Sequence, residues 1–311
     1  LAAAIRAASH GARVAILEPA AIGGTCVNLG CVPKKIMWEA AQLASHLPRA
    51  RALGLDVPLQ PALDWGQLVK ARQAHIARIH ASYQRQFAQV KLSVQPCRGQ
   101  LLGAGRVATD DGRQLQARHI LLATGARPRL PVFPGSQWLH SSDDVFAWQQ
   151  RPQRVAIIGG GYIAVELAGL LQALGSQVHL LVRGNVLLNG FDSELAQALA
   201  AAMAAQGITL QLRGKDLPDG HFDAVIAATG REPNVQGLGL EQAGVALDRR
   251  GFIATDDNSL ATTAEGVWAV GDVTGQLALT PLAVAQGRRL ADGLFGRGAG
   301  PAINPELVPS V

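Results

Sequence analysis

The sequence predicts an α/β protein in which two Rossmann-like dinucleotide-binding domains follow one another. Three observations indicate this fold class: apolar strands alternate with helices, a glycine-rich turn joins a strand to a helix, and the tripeptide Ala-Thr-Gly ends two strands. The chain has 311 residues, 48% of them hydrophobic and 16% charged, which is typical of about two folded domains. No apolar stretch reaches the roughly 18 residues of a membrane span, so no membrane partner is expected.

Charge and cysteine content exclude two further classes. The net charge of +5 comes from scattered basic residues, a pattern that favours small acidic ligands over nucleic acid. Three cysteines cannot form the disulfide framework of a small secreted protein, and Cys97 is predicted to lie in the core.

The first elements form an αβ unit. Leu1–Ser9 is predicted to be a helix that ends near Gly11, and Arg13–Leu17 is the strand that follows. Glu18 then occupies the place where a dinucleotide-binding unit holds a ribose with an acid, although a solvated surface charge is the commoner meaning of such a residue. The strand and glycine-rich turn that open such a unit are expected upstream of Leu1.

A long amphipathic helix is predicted over Ala62–Ala88. Its apolar residues at helical spacing are Leu68, Ala71, Ile76, Ile79, Tyr83 and Phe87.

Two predicted strands end in the same tripeptide. His119–Ala123 runs into Ala123-Thr124-Gly125, and Asp223–Ala227 is followed by Ala228-Thr229-Gly230. This repetition indicates two related dinucleotide-binding domains.

A complete βαβ unit lies between these strands. It consists of the strand Arg154–Ile158, the turn Gly159–Ala164, the helix Val165–Leu174 and the strand Gln177–Val182. The turn has the spacing G-x-G-x-x-A between a strand and a helix, which favours pyrophosphate binding over a merely glycine-rich loop. Arg183 follows the second strand where an NAD site would have an acid, which favours the 2′-phosphate of NADP.

Two cysteines in the spacing C-x4-C, Cys26 and Cys31, precede an apolar helix. On one ideal α-helix their Cα atoms would be about 8.7 Å apart, whereas a disulfide needs about 7 Å or less. A bond therefore requires a distorted turn, which Asn28 and Gly30 tolerate. The pair Lys34-Lys35 and the start of the helix favour thiolates, so redox chemistry is preferred over a metal site or two unrelated buried cysteines.

A resemblance to a known family begins at these cysteines. Residues 23–38, Gly-Gly-Thr-Cys-Val-Asn-Leu-Gly-Cys-Val-Pro-Lys-Lys-Ile-Met-Trp, resemble the redox-active motif of the FAD-dependent pyridine-nucleotide disulfide oxidoreductases, specifically that of the glutathione reductases. Gly159–Ala168 resembles the NADPH-binding turn of this family, Glu265–Asp272 its second FAD motif, and Leu279–Ala283 the segment beside the flavin ring. The resemblance covers nearly the whole chain and implies an enzyme with FAD and NADPH as cofactors, cytoplasmic and homodimeric.

The resemblance also implies roles for the residues around the cysteines. Tyr162 would act as a gate over the flavin, and Cys31 would be the sulfur nearest to the flavin. Cys26 would be the thiolate that attacks the substrate disulfide. Lys34 and Glu166 would form an ion pair beside the flavin.

Ligand contacts follow from the same resemblance. The residues implied for FAD are Glu18, Thr25, Cys26, Lys34, Thr124, Gly125, Asp272 and Thr280. The residues implied for NADPH are Gly159, Gly161, Tyr162, Ile163, Ala164, Glu166, Arg183 and Gly230. The implied substrate is glutathione disulfide, an anion contacted by Tyr83 and Arg288, and no metal site is implied.

The implied domains are an FAD-binding domain in two parts, 1–147 and 251–296, an NADP-binding domain at 148–250, and the start of a dimer-interface domain at 297–311. The sequence also departs from the family pattern.

Asn189 stands where the family has its second 2′-phosphate arginine, and the segment Leu210–Asp223 is shorter than in the family. The resemblance also implies that the His–Glu pair that protonates the leaving thiolate belongs to the partner subunit's interface domain. Reduction of another low-molecular-weight disulfide, or a non-catalytic nucleotide-binding remnant, are therefore the alternatives.

Overall fold

The computed structural model describes residues 1–58, 62–133, 135–214, 216, 220–304 and 307–308. The chain divides into two compact units. The first unit comprises Leu1–Gly24, Arg78–Arg127 and Glu232–Val311, and the second unit comprises Thr25–Ala77 and Pro128–Arg231. This division differs from the domain boundaries expected from the sequence, since residues 25–77 and 128–147 pack with the glycine-rich βαβ unit.

The helices and strands alternate as the sequence predicts. The helices are α1 (Ala2–Ser9), α2 (Gly24–Asn28), α3 (Cys31–Ala52), α4 (Trp65–Gln89), α5 (Tyr162–Ala173), α6 (Ser193–Ala205) and α7 (Thr280–Phe295). The strands are β1 (Ala15–Leu17), β2 (Ser93–Gln95), β3 (Gly99–Gly103), β4 (Arg106–Thr109), β5 (Gln114–Gln116), β6 (Ile120–Leu122), β7 (Ala126–Pro128), β8 (His140–Ser141), β9 (Arg154–Ile158), β10 (Gln177–Val182), β11 (Thr209–Leu212), β12 (Ala224–Ala227), β13 (Arg231–Pro233) and β14 (Val267–Ala269).

The second unit is built on a parallel sheet with the strand order β11-β10-β9-β12-β8. Counted from β9, this is the 3-2-1-4 order of a dinucleotide-binding fold. Val155, Ile157 and Leu180 are fully buried because both faces of a parallel sheet are covered. The predicted fold class and the bounds of β9 and β10 are thus confirmed.

Helix α5 begins earlier than the sequence predicts. It starts at Tyr162 rather than Val165, so the first turn of the helix contains Ile163 and Ala164. The N-cap Gly161 has no side chain that could mark the boundary, and the first helical hydrogen bond runs from the Val165 N–H to the Gly161 carbonyl.

The first unit has shorter strands that pair across long stretches of sequence. β1 pairs with β2 and β6 with β14, both in parallel, while β3, β4 and β5 form an antiparallel meander. Helix α1 packs on α7, where a Cβ at Gly287 would lie 3.2 Å from the Ala3 side chain. The predicted helix over Leu1–Ser9 and the turn at Gly11, with φ +86°, are confirmed.

One predicted core position of α4 is wrong. Ala71 is exposed, and the neighbouring Arg72 is fully buried instead. The buried face runs through Leu68, Arg72 and Ile76, so each position is four residues from the last, as one side of an α-helix requires.

Two further expectations concern a short segment and a terminal one. β11 and β12 are joined by residues 213–223, and those that the structure describes form no additional strand. The expected interface-domain segment 297–311 lies partly outside the described residues.

Within the described ranges, no helix combines the length and apolarity needed to cross a membrane, and no three His, Cys, Asp or Glu side chains cluster as metal ligands would.

Candidate active site

The two cysteines lie on either side of a helix break. Cys26 is in α2, which ends at Asn28, and Cys31 is the first residue of α3. Between them Gly30 has φ −156° and ψ −113°, and a Cβ there would lie 3.0 Å from the Thr25 carbonyl oxygen. The expected distortion between the two cysteines is confirmed, since they do not share one regular helix.

The start of α3 favours negative charge at Cys31. Gly30 provides no side-chain cap, and the dipole of a 22-residue helix is positive at this end. Pro33 lies in the first turn, where its missing N–H leaves no hydrogen bond unmade. Cys31 is exposed and Cys26 partly exposed, so both thiols are accessible to chemistry, whereas Cys97 is buried as predicted.

An ion pair joins the first turn of α3 to the second turn of α5. The Lys34 Nζ and Glu166 Oε1 atoms are 2.5 Å apart, and both side chains are about two-thirds buried, with 29% and 34% of their surface exposed. The two helices pack closely enough that a Cβ at Gly169 would lie 3.8 Å from the Trp38 ring. The contact implied between Lys34 and Glu166 is present, and its role beside a flavin stays a prediction.

The glycine-rich turn is tight on its inner side and open on its outer side. Gly159 has φ +145°, and a Cβ there would lie 2.3 Å from the Ala228 carbonyl oxygen. A Cβ at Gly160 would lie 2.7 Å from Val182, whereas one at Gly161 would meet nothing within 4 Å. This open backbone at the start of an uncapped helix fits a pyrophosphate, and the fully buried Ala164 permits the close helix–strand packing.

The other residues implied for NADPH lie near the same edge of the sheet. Tyr162 is 47% exposed at the first position of α5, and Arg183 is exposed at the end of β10. Gly230, with φ +131°, follows β12 and accepts a hydrogen bond from the Arg129 N–H. These features fit a phosphate-bearing nucleotide because parallel strands present ligands at their carboxyl ends.

The residues implied for FAD divide between the units. Thr25, Cys26 and Lys34 belong to the second unit, and the others belong to the first unit: Glu18, Thr124, Gly125, Asp272 and Thr280.

Glu18 follows β1, and its Oε1 accepts the Ala20 N–H at 3.0 Å. Asp272 lies in the short helical turn Gly271–Thr274 just after β14, so two acids follow parallel strands of the first unit. Carboxylates at such strand ends fit the ribose and ribityl hydroxyls of FAD.

Thr124 and Gly125 form a turn that is fastened within the first unit. The Thr124 hydroxyl donates to the Asn234 carbonyl at 2.7 Å, and the Gly125 carbonyl accepts the Asn234 N–H at 2.9 Å. Gly125 has φ +70°, which explains the glycine. Thr280 is exposed at the start of α7.

The residues implied for the substrate lie on two helices, in stretches of the chain that belong to the first unit. Tyr83 of α4 is partly buried and stacks on Phe87, with ring centroids 6.0 Å apart. Arg288 of α7 is exposed. Their contact with a substrate stays a prediction.

Sequence reasoning missed Arg72, which supports the cysteine helix. Its Nη2 donates to the Phe146 carbonyl at 2.7 Å, and its Nη1 lies 3.4 Å from the Met37 sulfur of α3. Burial lowers the pKa of this guanidinium. Its position four residues after Leu68 indicates the buried face of the helix, but a charged residue is not expected in the core.

Comparisons with known proteins identify relatives of this chain. Residues 1–287 match the model of the pyridine nucleotide-disulphide oxidoreductase family. The chain is 44% identical to a glutathione reductase of Burkholderia cepacia over 306 residues, which cover 93% of this chain and 68% of that protein. It is 38% identical to a glutathione reductase of Schizosaccharomyces pombe over 336 residues, covering 100% and 72% of the two chains.

A solved structure is also similar. It is the HOCl-induced flavoprotein disulfide reductase RclA from Escherichia coli, with a TM-score of 0.85 and 26% identity, over 96% of this chain and 69% of that one.

Proposed function

Since the chain belongs to the pyridine nucleotide-disulphide oxidoreductase family, we propose that it reduces glutathione disulfide and prefers NADPH to NADH. The coarser activity is that of a flavoprotein disulfide oxidoreductase with FAD and NADPH as cofactors. The substrate, the preference between the two nicotinamide cofactors, the homodimer and the cytoplasmic location are the proposed part.

The observation that supports the chemistry most is the helix break between the cysteines. It separates Cys26 from the regular turns of α3 and leaves Cys31 at the positive end of that helix. The Lys34–Glu166 pair fixes a cation one turn further along α3. Two thiols and a fixed cation in one segment suit a dithiol that must carry negative charge during exchange.

When bound, FAD supplies the electron pair that NADPH delivers as hydride and so keeps the two cysteines reduced. The Cys26 thiolate attacks one sulfur of glutathione disulfide, so that a Cys26–glutathione mixed disulfide forms and one glutathione thiolate leaves and takes a proton. The Cys31 thiolate then attacks the Cys26 sulfur, releases the second glutathione and closes the Cys26–Cys31 bond. Two electrons pass from the cysteines to the substrate in this sequence.

Substrate choice rests on the anionic character of glutathione disulfide. Arg288 is an exposed arginine on α7 that can bind a carboxylate with two hydrogen bonds. Tyr83 offers a partly exposed ring on α4. Two relatives of this chain are named glutathione reductases, which supports the same substrate.

The test is a comparison of cofactors and disulfides. The purified protein should be yellow from bound flavin, oxidise NADPH faster than NADH, and release two thiols from glutathione disulfide for each NADPH consumed. Faster turnover of a cationic or neutral low-molecular-weight disulfide would replace the proposed substrate. A colourless protein that binds NADPH without thiol release would instead favour a non-catalytic nucleotide-binding remnant.

A further inference from the structure

Two arginines stand side by side at the carboxyl ends of β10 and β11. These strands are parallel neighbours, and Val182 is in register with Leu212. Arg183 and Arg213 are the residues that follow these register partners. The register of the two strands therefore brings these arginines together, although they are far apart in the sequence.

Two hydrogen bonds fasten the end of β11 to the loop after β10. The Arg213 N–H donates to the Gly184 carbonyl at 2.8 Å, and the Gly214 N–H donates to the Val182 carbonyl at 3.0 Å. Arg213 adopts φ +54°, a left-handed conformation that non-glycine residues rarely take. A Cβ at Gly214 would lie 2.2 Å from Leu181, so this turn has little freedom to shift.

The pair carries positive charge, and the described residues provide it with no counter-ion. Both arginines are exposed, and across the described ranges neither guanidinium forms an ion pair with a carboxylate. Like charges at neighbouring strand ends repel one another, and a bound dianion removes that repulsion. Arginine also matches phosphate with two parallel hydrogen bonds.

The same loop leads back to the glycine-rich turn. The Leu188 N–H donates to the Gly160 carbonyl at 2.7 Å, so the loop after β10 runs from the two arginines to the open backbone at Gly161. In a dinucleotide-binding fold, the pyrophosphate lies at this turn and the adenosine ribose lies at the end of the second strand. The arginines therefore stand where a ribose phosphate would be.

We propose that Arg213 is a specificity residue for NADPH and binds the 2′-phosphate together with Arg183. This inference rests on the proposed function. It assigns to the end of β11 the second positive charge that position 189 lacks, since Asn189 is neutral. The cation thus comes from a neighbouring strand rather than from the loop after β10.

Binding of two nucleotide fragments tests this assignment without turnover. The dissociation constants of 2′,5′-ADP and 5′-AMP would be measured by calorimetry, and their ratio isolates the contribution of the 2′-phosphate. In the variant Arg213→Asn the preference for 2′,5′-ADP should fall about 10-fold, because one charged hydrogen-bonding partner is lost. Asn tolerates positive φ, so the turn itself should persist.

Two further variants complete the experiment. Arg213→Lys keeps the charge and should retain most of the preference, whereas Arg51→Asn removes an exposed arginine from α3 and should leave it unchanged. An unaltered preference in Arg213→Asn overturns the inference alone. The absence of any preference in the unmodified protein overturns the NADPH preference as well, which separates the two failures.

Discussion

The starts of α3 and α5 are alike in construction and differ in what they leave open. Each helix follows a glycine N-cap without a capping side chain, and its first hydrogen bond returns to that glycine, from Lys34 to Gly30 and from Val165 to Gly161. At α3 a Cβ on the N-cap would meet the Thr25 carbonyl at 3.0 Å. At α5 a Cβ on the N-cap would meet nothing within 4 Å.

This difference indicates that an uncapped helix start after a glycine can stabilise two kinds of negative charge. The open start of α5 leaves room for an external phosphate, while the crowded start of α3 places a cysteine of the chain itself at the positive end of the helix. The two starts are joined by the Lys34–Glu166 ion pair. Variants at each start should therefore separate exchange chemistry from nucleotide binding.

The largest effect is expected at the cysteines. Cys26→Ser and Cys31→Ser should each lower disulfide reduction by more than about 1000-fold, because the reaction loses a reacting sulfur, while NADPH binding stays unchanged. Cys31→Ser should also accumulate a Cys26–glutathione mixed disulfide, detectable by intact-protein mass spectrometry. Cys97→Ser is the matched control and should keep turnover. Near-normal activity in either active-site variant would contradict the exchange role assigned to the start of α3.

The glycine turn should show the next largest effect. Gly159→Ala forces a φ of +145° on a residue with a Cβ that meets the Ala228 carbonyl, so we expect a loss of about 2 kcal/mol in unfolding free energy and weaker NADPH binding. Gly161→Ala has no such clash and should keep its stability while losing NADPH affinity. Denaturant unfolding and nucleotide titration measure the two effects. Equal stability losses in both variants would contradict the proposed difference between the two glycines.

A moderate effect is expected at the ion pair between the two helix starts. Glu166→Gln leaves the Lys34 ammonium with a neutral partner, so it should destabilise the fold by about 1 kcal/mol, a value that allows for the solvent screening of a one-third exposed pair. Turnover should fall about 10-fold if the cation must be held in place. Glu39→Gln, an exposed glutamate on α3, is the control and should change neither quantity. Unchanged kcat and stability in Glu166→Gln would show that the helix starts act independently.

The smallest effect is expected at Asp223, which lies outside both helix starts. Asp223 accepts the N–H groups of Arg154 and Gln153, both at 2.8 Å, and these hydrogen bonds lower the pKa of its carboxyl. Because the folded pKa is below the unfolded one, the stabilisation is present above the ordinary value of 3.8 and is lost as pH falls through the folded pKa.

Asp223→Asn should therefore lower the melting temperature slightly at pH 7, and the difference from the unmodified protein should disappear in acid. Thermal melts across this pH range check the expectation, with Asp56→Asn as an exposed control. A difference that persists at low pH would assign the effect to packing rather than to charge.

Local patterns predicted the second unit better than the first. β9 and β10 have the bounds that the sequence predicts because each is a short, largely apolar segment between turn residues. The start of α5 was misplaced because Gly161 carries no capping side chain. In the first unit, nothing local in β6 indicates that it pairs with β14.

Within the candidate site, motif residues could be predicted and their surroundings could not. The spacing of Cys26 and Cys31 required a distorted turn, and the helix break provides it. Arg72 and Arg213 had no motif, since one is buried by the helix period and the other reaches its place through strand register.

The way the two units share the chain has a consequence for protein synthesis. All five strands of the second unit's sheet have been synthesised once β12 is made, whereas β6 of the first unit cannot pair until β14 follows. At that stage the chain contains every strand of one sheet and an unpaired β6, whose exposed edge favours aggregation.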